Sequence, residues 1–137
     1  ERAAQGRATV PEQARRILRD YLAIAGDPDT VSGAVQALAR REQIALDEAL
    51  ARFDERNGFL ALSGIDLARV TCSTAFGRDL DYYTGVVFEM SAPSPAGSGA
   101  LVGGGRYDRL VQSLGAQQAV PAVGCSIFMD RLLGVVA

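Results

Sequence analysis

Residues 77–89 read Gly77-Arg78-Asp79-Leu80-Asp81-Tyr82-Tyr83-Thr84-Gly85-Val86-Val87-Phe88-Glu89. They set one guanidinium, two acids and two phenols just ahead of an alternating apolar run. Such a cluster suits a small zwitterion that carries a ring. Arg78 can grip a carboxylate through two parallel N–H bonds. Asp79 or Asp81 can meet an amine, and Tyr82 and Tyr83 can wall in the remainder. A second cluster of the same flavour follows, Gly103-Gly104-Gly105-Arg106-Tyr107-Asp108. The two read as two walls of one pocket. A third run, Gly124-Cys125-Ser126-Ile127-Phe128-Met129-Asp130-Arg131-Leu132, passes from strand to helix. Asp130 and Arg131 fall in the first turn of that helix, Asp130 near its positive end.

Each cluster also has a plainer reading. Arg78 can pair with Asp79 or Asp81 instead of a ligand. Tyr82 and Tyr83, adjacent in extended chain, face opposite ways, and one or both can simply pack. The glycine run can be a bend, and it is neither a dinucleotide fingerprint nor a Walker loop. Arg131 can be a surface residue beside a capping acid.

The elements that hold these residues change character near residue 66. Residues 1–66 read as a helical segment. Val10, Ala14, Ile17, Leu18, Tyr21, Leu22 and Ala25 recur at helical spacing behind Pro11-Glu12. Gly26-Asp27-Pro28-Asp29 stops that helix, and Asp29 or Thr30 caps a second one lined by Val31, Val35, Leu38 and Ala39. A third is expected from about Glu42 to Arg56, closed by Asn57-Gly58. Residues 67–137 read as strands with short helices. Strands are expected over 70–76, 86–90, 100–102 and 120–127, helices over 107–114 and 129–136, and a flexible loop over 92–99.

Composition narrows the possible functions. A chain of 137 residues can bury one real core. Its first residue is Glu1, so a longer parent protein is expected. There is neither an apolar run long enough to span a membrane nor a leader-like start. A net charge of −2 argues against non-specific binding to nucleic acid. Every basic residue is Arg, and His is absent. Catalysis by Ser-His-Asp or Cys-His is therefore excluded within this chain. Cys72 and Cys125 are too few for a zinc site and are read as buried thiols of a reducing, cytoplasmic compartment. No metal and no cofactor are expected.

As a set and in this order, Arg78 to Glu89, Gly104-Gly105-Arg106-Tyr107-Asp108, and Pro121-Ala122-Val123-Gly124 through Leu132 resemble the histidyl-tRNA synthetase family. The resemblance covers roughly residues 70–136. The helical first half is loosely similar to the insertion that precedes these motifs. What this implies is an α+β fold: the C-terminal part of a class II synthetase-like core, an antiparallel sheet with flanking helices, preceded by a small helical segment. The first and second class II motifs are absent from the chain, so it does not complete the pocket alone.

The resemblance also implies roles. Arg78 matches the arginine that meets the histidine carboxylate, and Tyr83 and Tyr107 match tyrosines lining the side-chain pocket. The implied pocket comprises Arg78, Asp81, Tyr82, Tyr83, Gly104, Gly105, Arg106 and Tyr107. Phe128, Asp130 and Arg131 match a nucleotide site, with Arg131 in the place of the phosphate-gripping arginine. Synthetases carry glycine where this chain has Phe128, and a benzyl group there fills space that ATP needs. Phe128 and the Phe76-Gly77-Arg78-Asp79 start resemble the branch that has lost aminoacylation, of alphaproteobacterial type. That branch is the regulatory subunit of ATP phosphoribosyltransferase in histidine biosynthesis. The implied protein is non-catalytic, binds or senses histidine, forms homo- and hetero-oligomers, activates a short-form catalytic subunit and needs no tRNA. The other branch, activation of histidine with ATP, is the alternative.

Overall fold

The computed structural model describes residues 10–93 and 99–136. The chain divides into two compact units, Glu1–Phe76 and Gly77–Ala137.

The first unit is helical. Helix α1 (Glu12–Leu22) starts behind Pro11, with Glu12 at its positive end. A two-residue strand, β1 (Ala25–Gly26), leads into α2 (Pro28–Glu42). The cap of α2 is Asp27 rather than Asp29 or Thr30. Pro28 has no N–H to satisfy and its fixed φ suits the first helical position. Asp27 accepts from the Thr30 amide at 3.0 Å and the Thr30 hydroxyl at 2.6 Å. Those bonds, the hydroxyl first, hold its carboxyl below the usual range. Gln43 closes α2 in the left-handed region, at φ 56°.

Helix α3 (Asp47–Leu62) begins later than the spacing suggests and runs straight through Asn57-Gly58. Asn57 does not end it because its side chain is used inside the unit: the residue is 6% exposed, and its Oδ1 accepts from Arg56 Nη2 at 2.7 Å. The stop comes at Ser63-Gly64, where Gly64 takes φ +82°. Val31, Leu38 and Ala39 of α2 and Leu50 of α3 form the buried apolar core. Helix α1 buries no residue fully. It is tied to α2 by ion pairs, Arg16–Glu42 at 3.0 Å and Asp20–Arg41 at 2.5 Å, with the Glu42 side chain only 6% exposed.

The strand expected over 70–76 shrinks to β2 (Cys72–Ser73), which pairs antiparallel with β1. Its partner offers only two residues. The next residue, Thr74, instead turns its hydroxyl to the carbonyls of Tyr21 and Ile24 at the end of α1.

In the second unit, β3 (Val87–Met90), β4 (Val102–Arg106) and β5 (Val123–Ile127) form an antiparallel sheet in the order β3-β4-β5. A short helix α4 (Leu110–Ser113) lies between β4 and β5, and α5 (Met129–Val136) follows β5. The α+β class, with helices first and an antiparallel sheet after them, is as expected.

Two details are not as expected. Gly103-Gly104-Gly105 is no turn but the middle of β4. None of the three uses a positive φ; among the described glycines, Gly26, Gly64 and Gly115 do. Cys72 and Cys125 are free thiols, but neither is buried: Cys72 is half-buried and Cys125 is exposed. Cys125 is the register partner of Gly104, which has no side chain to cover it. Of the loop expected over 92–99, residues 94–98 lie outside the described residues. Among the described residues no helix is long and apolar enough to cross a membrane.

Candidate functional site

Side chains alternate across a strand, so Gly103 and Gly105 share one face of β4. Their register partners share it too: Glu89 and Val87 on β3, Ser126 and Gly124 on β5. Arg78 and Tyr83, from the segment before β3, lie over this face, and its glycines act as seats. A Cβ on Gly103 would fall 2.6 Å from the Arg78 guanidinium carbon. One on Gly105 would fall 2.8 Å from the Tyr83 ring, and one on Gly124 would collide with the Tyr107 hydroxyl. The three glycines therefore let an arginine and two phenols lie directly on the sheet.

The tyrosines form one cluster. Ring centroids of Tyr82 and Tyr83 are 4.7 Å apart, those of Tyr82 and Tyr107 are 5.7 Å apart in an edge-on pair, and those of Tyr83 and Tyr107 are 6.3 Å apart. Tyr82 and Tyr83 do not face opposite ways, because Asp81 and Tyr82 sit in a turn rather than in extended chain. Hydrogen bonding to the Tyr83 hydroxyl, and then desolvation, raise the Tyr82 phenol above its ordinary pKa.

Arg78 sits in the loop ahead of β3. Its ionic partner is neither Asp79 nor Asp81 but Glu89, with Nη1 donating to Oε1 at 2.5 Å. Glu89 stands opposite Gly103, so its carboxylate reaches the guanidinium seated there. The Arg78 side chain is only 15% exposed. Its Nε is buried and has no acceptor among the described residues. Asp79 and Asp81 are exposed and make no ion pair among the described residues.

Two other expected pocket residues go elsewhere. Gly104 faces the opposite side of β4, where a Cβ would strike the Gly124 carbonyl and fall 2.7 Å from Cys125 Cβ. Arg106 shares that side. Its Nε donates to Asp108 Oδ2 at 2.8 Å and its stem packs on Gly85. Asp108 also accepts from the Ala122 amide at 3.1 Å. Arg106 first, and that amide, hold its carboxyl below the usual range. Thr84 staples the loop to the end of β4: its hydroxyl accepts from the Asp108 amide at 3.0 Å, and its own amide donates to the Arg106 carbonyl at 2.9 Å.

At the start of α5, the Arg131 guanidinium lies 4.6 Å from the Phe128 ring centroid. Its Nη1 donates to the Ala100 carbonyl at 2.8 Å. Asp130 is exposed and has no hydrogen bond or ion pair among the described residues. Among those residues no group of three or more His, Cys, Asp and Glu side chains is placed to hold a metal.

The structure thus places Arg78, Tyr82, Tyr83, Gly105 and Tyr107 on one face, and adds Glu89, Gly103 and Gly124, which stand in the sequence motifs but outside the expected pocket. The face offers a cation, an anion and ring walls, a set that matches an amino-acid zwitterion.

The family model for histidyl-tRNA synthetase matches residues 2–132. The chain belongs to that family. Among curated relatives, the protein from Agrobacterium fabrum is 44% identical over 136 residues, covering 98% of this chain and 36% of its own length. The protein from Brucella canis is 43% identical over 122 residues, covering 89% and 32%. Both are named ATP phosphoribosyltransferase regulatory subunit. A crystal structure of a histidine–tRNA ligase subunit from Alicyclobacillus acidocaldarius is 34% identical, covers 91% of this chain and 32% of that one, and superposes with a TM-score of 0.48. The chain therefore spans about a third of the relatives it matches, 36% and 32% of their lengths.

Proposed function

We propose that this chain is part of a non-catalytic regulatory subunit of ATP phosphoribosyltransferase, acting in the cytoplasm. In this reading the face built by Arg78, Tyr82, Tyr83, Gly105 and Tyr107 takes histidine. Arg78 meets the carboxylate and the rings enclose the imidazole. Gly104 serves the strand from its other side, and Asp81 and Arg106 stay outside the grip. The subunit assembles with a short-form catalytic subunit and activates it. Histidine changes that activity by binding two arrangements of the assembly unequally, as any such coupling requires.

The observation that carries the reading is an asymmetry between two arginines. Arg78 and its ring neighbours remain assembled on the glycine face. Arg131, in the position of the phosphate-gripping arginine, is committed to the Phe128 ring and the Ala100 carbonyl. An amino-acid grip kept beside a blocked phosphate grip suits sensing better than activation of histidine with ATP. The names of the two relatives support the same reading.

Three measurements on the intact natural chain test it. Calorimetric titration is expected to show histidine binding. Mixing with a short-form ATP phosphoribosyltransferase is expected to raise that enzyme's rate. Histidine-dependent ATP–pyrophosphate exchange is expected to be absent. Robust exchange would overturn the reading in favour of a synthetase.

A further inference from the structure

The ion pair between Arg78 and Glu89 raises a question that the ligand grip leaves open. A guanidinium poised for a ligand carboxylate normally offers two parallel N–H groups. In this chain Nη1 is taken by Glu89 at 2.5 Å, and Nε is buried against the chain with no acceptor among the described residues. The guanidinium cannot sink deeper, because it already rests where a Gly103 Cβ would be. Glu89 cannot be far from any ligand that reaches Arg78. It stands across from Gly103 in the register, on the same face, with its side chain 41% exposed.

We infer that Glu89 determines the charge type of ligand that Arg78 accepts. The inference rests on the proposed amino-acid grip. A simple anion that approaches Arg78 must share the guanidinium with Glu89 and suffers its repulsion. A zwitterion brings its own cation. Its carboxylate meets Arg78 while its ammonium meets Glu89, and each charge finds an opposite. At a spacing of about 4 Å near a protein surface, such like-charge and opposite-charge terms are large enough to change affinity by well over tenfold. Glu89 is thus a specificity-determining residue that favours amino acids over the corresponding deaminated acids. Asp79 and Asp81, exposed and outside this geometry, do not serve that purpose.

The test compares histidine with imidazolepropionate, which is histidine without its amine. Both are titrated calorimetrically into the intact natural chain, its Glu89→Gln variant and its Glu89→Asp variant. Gln keeps the shape and an acceptor for Arg78 Nη1 while removing the charge, and circular dichroism of each variant checks that folding is retained. The wild type is expected to prefer histidine. Glu89→Gln is expected to reduce that preference by about tenfold or more, chiefly by tightening imidazolepropionate, and Glu89→Asp to keep most of it. Histidine binding with the same preference in wild type and Glu89→Gln overturns the inference and leaves the amino-acid grip standing. If the wild type binds no histidine but Glu89→Gln gains affinity for imidazolepropionate, the histidine reading falls while the control of Arg78 by Glu89 stands. If no protein binds either compound, both fall.

Discussion

The two units bury different things. In the helical unit the buried residues include apolar side chains: Val31, Leu38, Ala39 and Leu50. In the sheet unit the buried residues among those described are Gly103, Gly104 and Gly105. Several of its large apolar side chains are exposed, Met90 and Ile127 each 54%, Leu133 57% and Val123 72%, while Val87, Phe88, Leu101 and Val102 are half-buried. The first unit follows the usual rule, in which apolar surface removed from water drives folding. The second is organised around backbone, and its polar and aromatic side chains lie on peptide planes.

That contrast can be broken from either side. The largest effect is expected from Gly104→Ala. The new methyl would collide with the Gly124 carbonyl oxygen and fall 2.8 Å from the Cys125 Cα, and backbone cannot step aside as a flexible side chain can. A loss of about 3 kcal/mol is expected, read from urea denaturation of the intact natural chain. A loss below about 0.5 kcal/mol would show that the sheet accommodates side chains after all. Leu38→Ala tests the other unit. Leu38 is 7% exposed, and its truncation is expected to cost about 2.5 kcal/mol in the same measurement. The smallest effect has the opposite sign. Gly33, inside α2, has nothing within 4 Å of the position a Cβ would take. Gly33→Ala is expected to stabilise by about 0.5–1 kcal/mol. A destabilising result there would mean that glycines of the helical unit also serve as seats.

The same contrast explains what could be read in the sequence. Helical spacing gave α1, α2 and α3 because their stripes are local and repeat within a turn or two. Their ends were harder to place. Asn57-Gly58 has the composition of a helix stop, yet a hydrogen bond from Arg56 keeps Asn57 inside α3. Asp29 and Thr30 look like caps, yet Pro28 passes that role back to Asp27.

The motif residues stood out by type, and Arg78, Tyr82, Tyr83 and Tyr107 do meet. Their arrangement was not legible. The adjacent tyrosines come together because a turn, not a strand, carries them. Glu89 finds Arg78 through cross-strand register, which no residue announces by its type. The glycine run read as a bend because glycine in sequence advertises freedom of φ. In β4 the property in use is the absence of Cβ, and only the neighbours above and beside it reveal that.

The seats at Gly103, Gly105 and Gly124 also bear on how such a surface can change over generations. A floor made of side chains can be retuned by swapping one for another of similar size. A floor of bare peptide offers no such gradation, since every other residue type brings a Cβ into space already filled by Arg78, Tyr83 or Tyr107. Variation at this face is therefore confined to the residues that rest on the glycines and to the side-chain-bearing strand positions beside them, such as Glu89 and Ser126. The seats hold the geometry constant while the occupants diverge, so one strand can serve descendants with different ligands without being rebuilt.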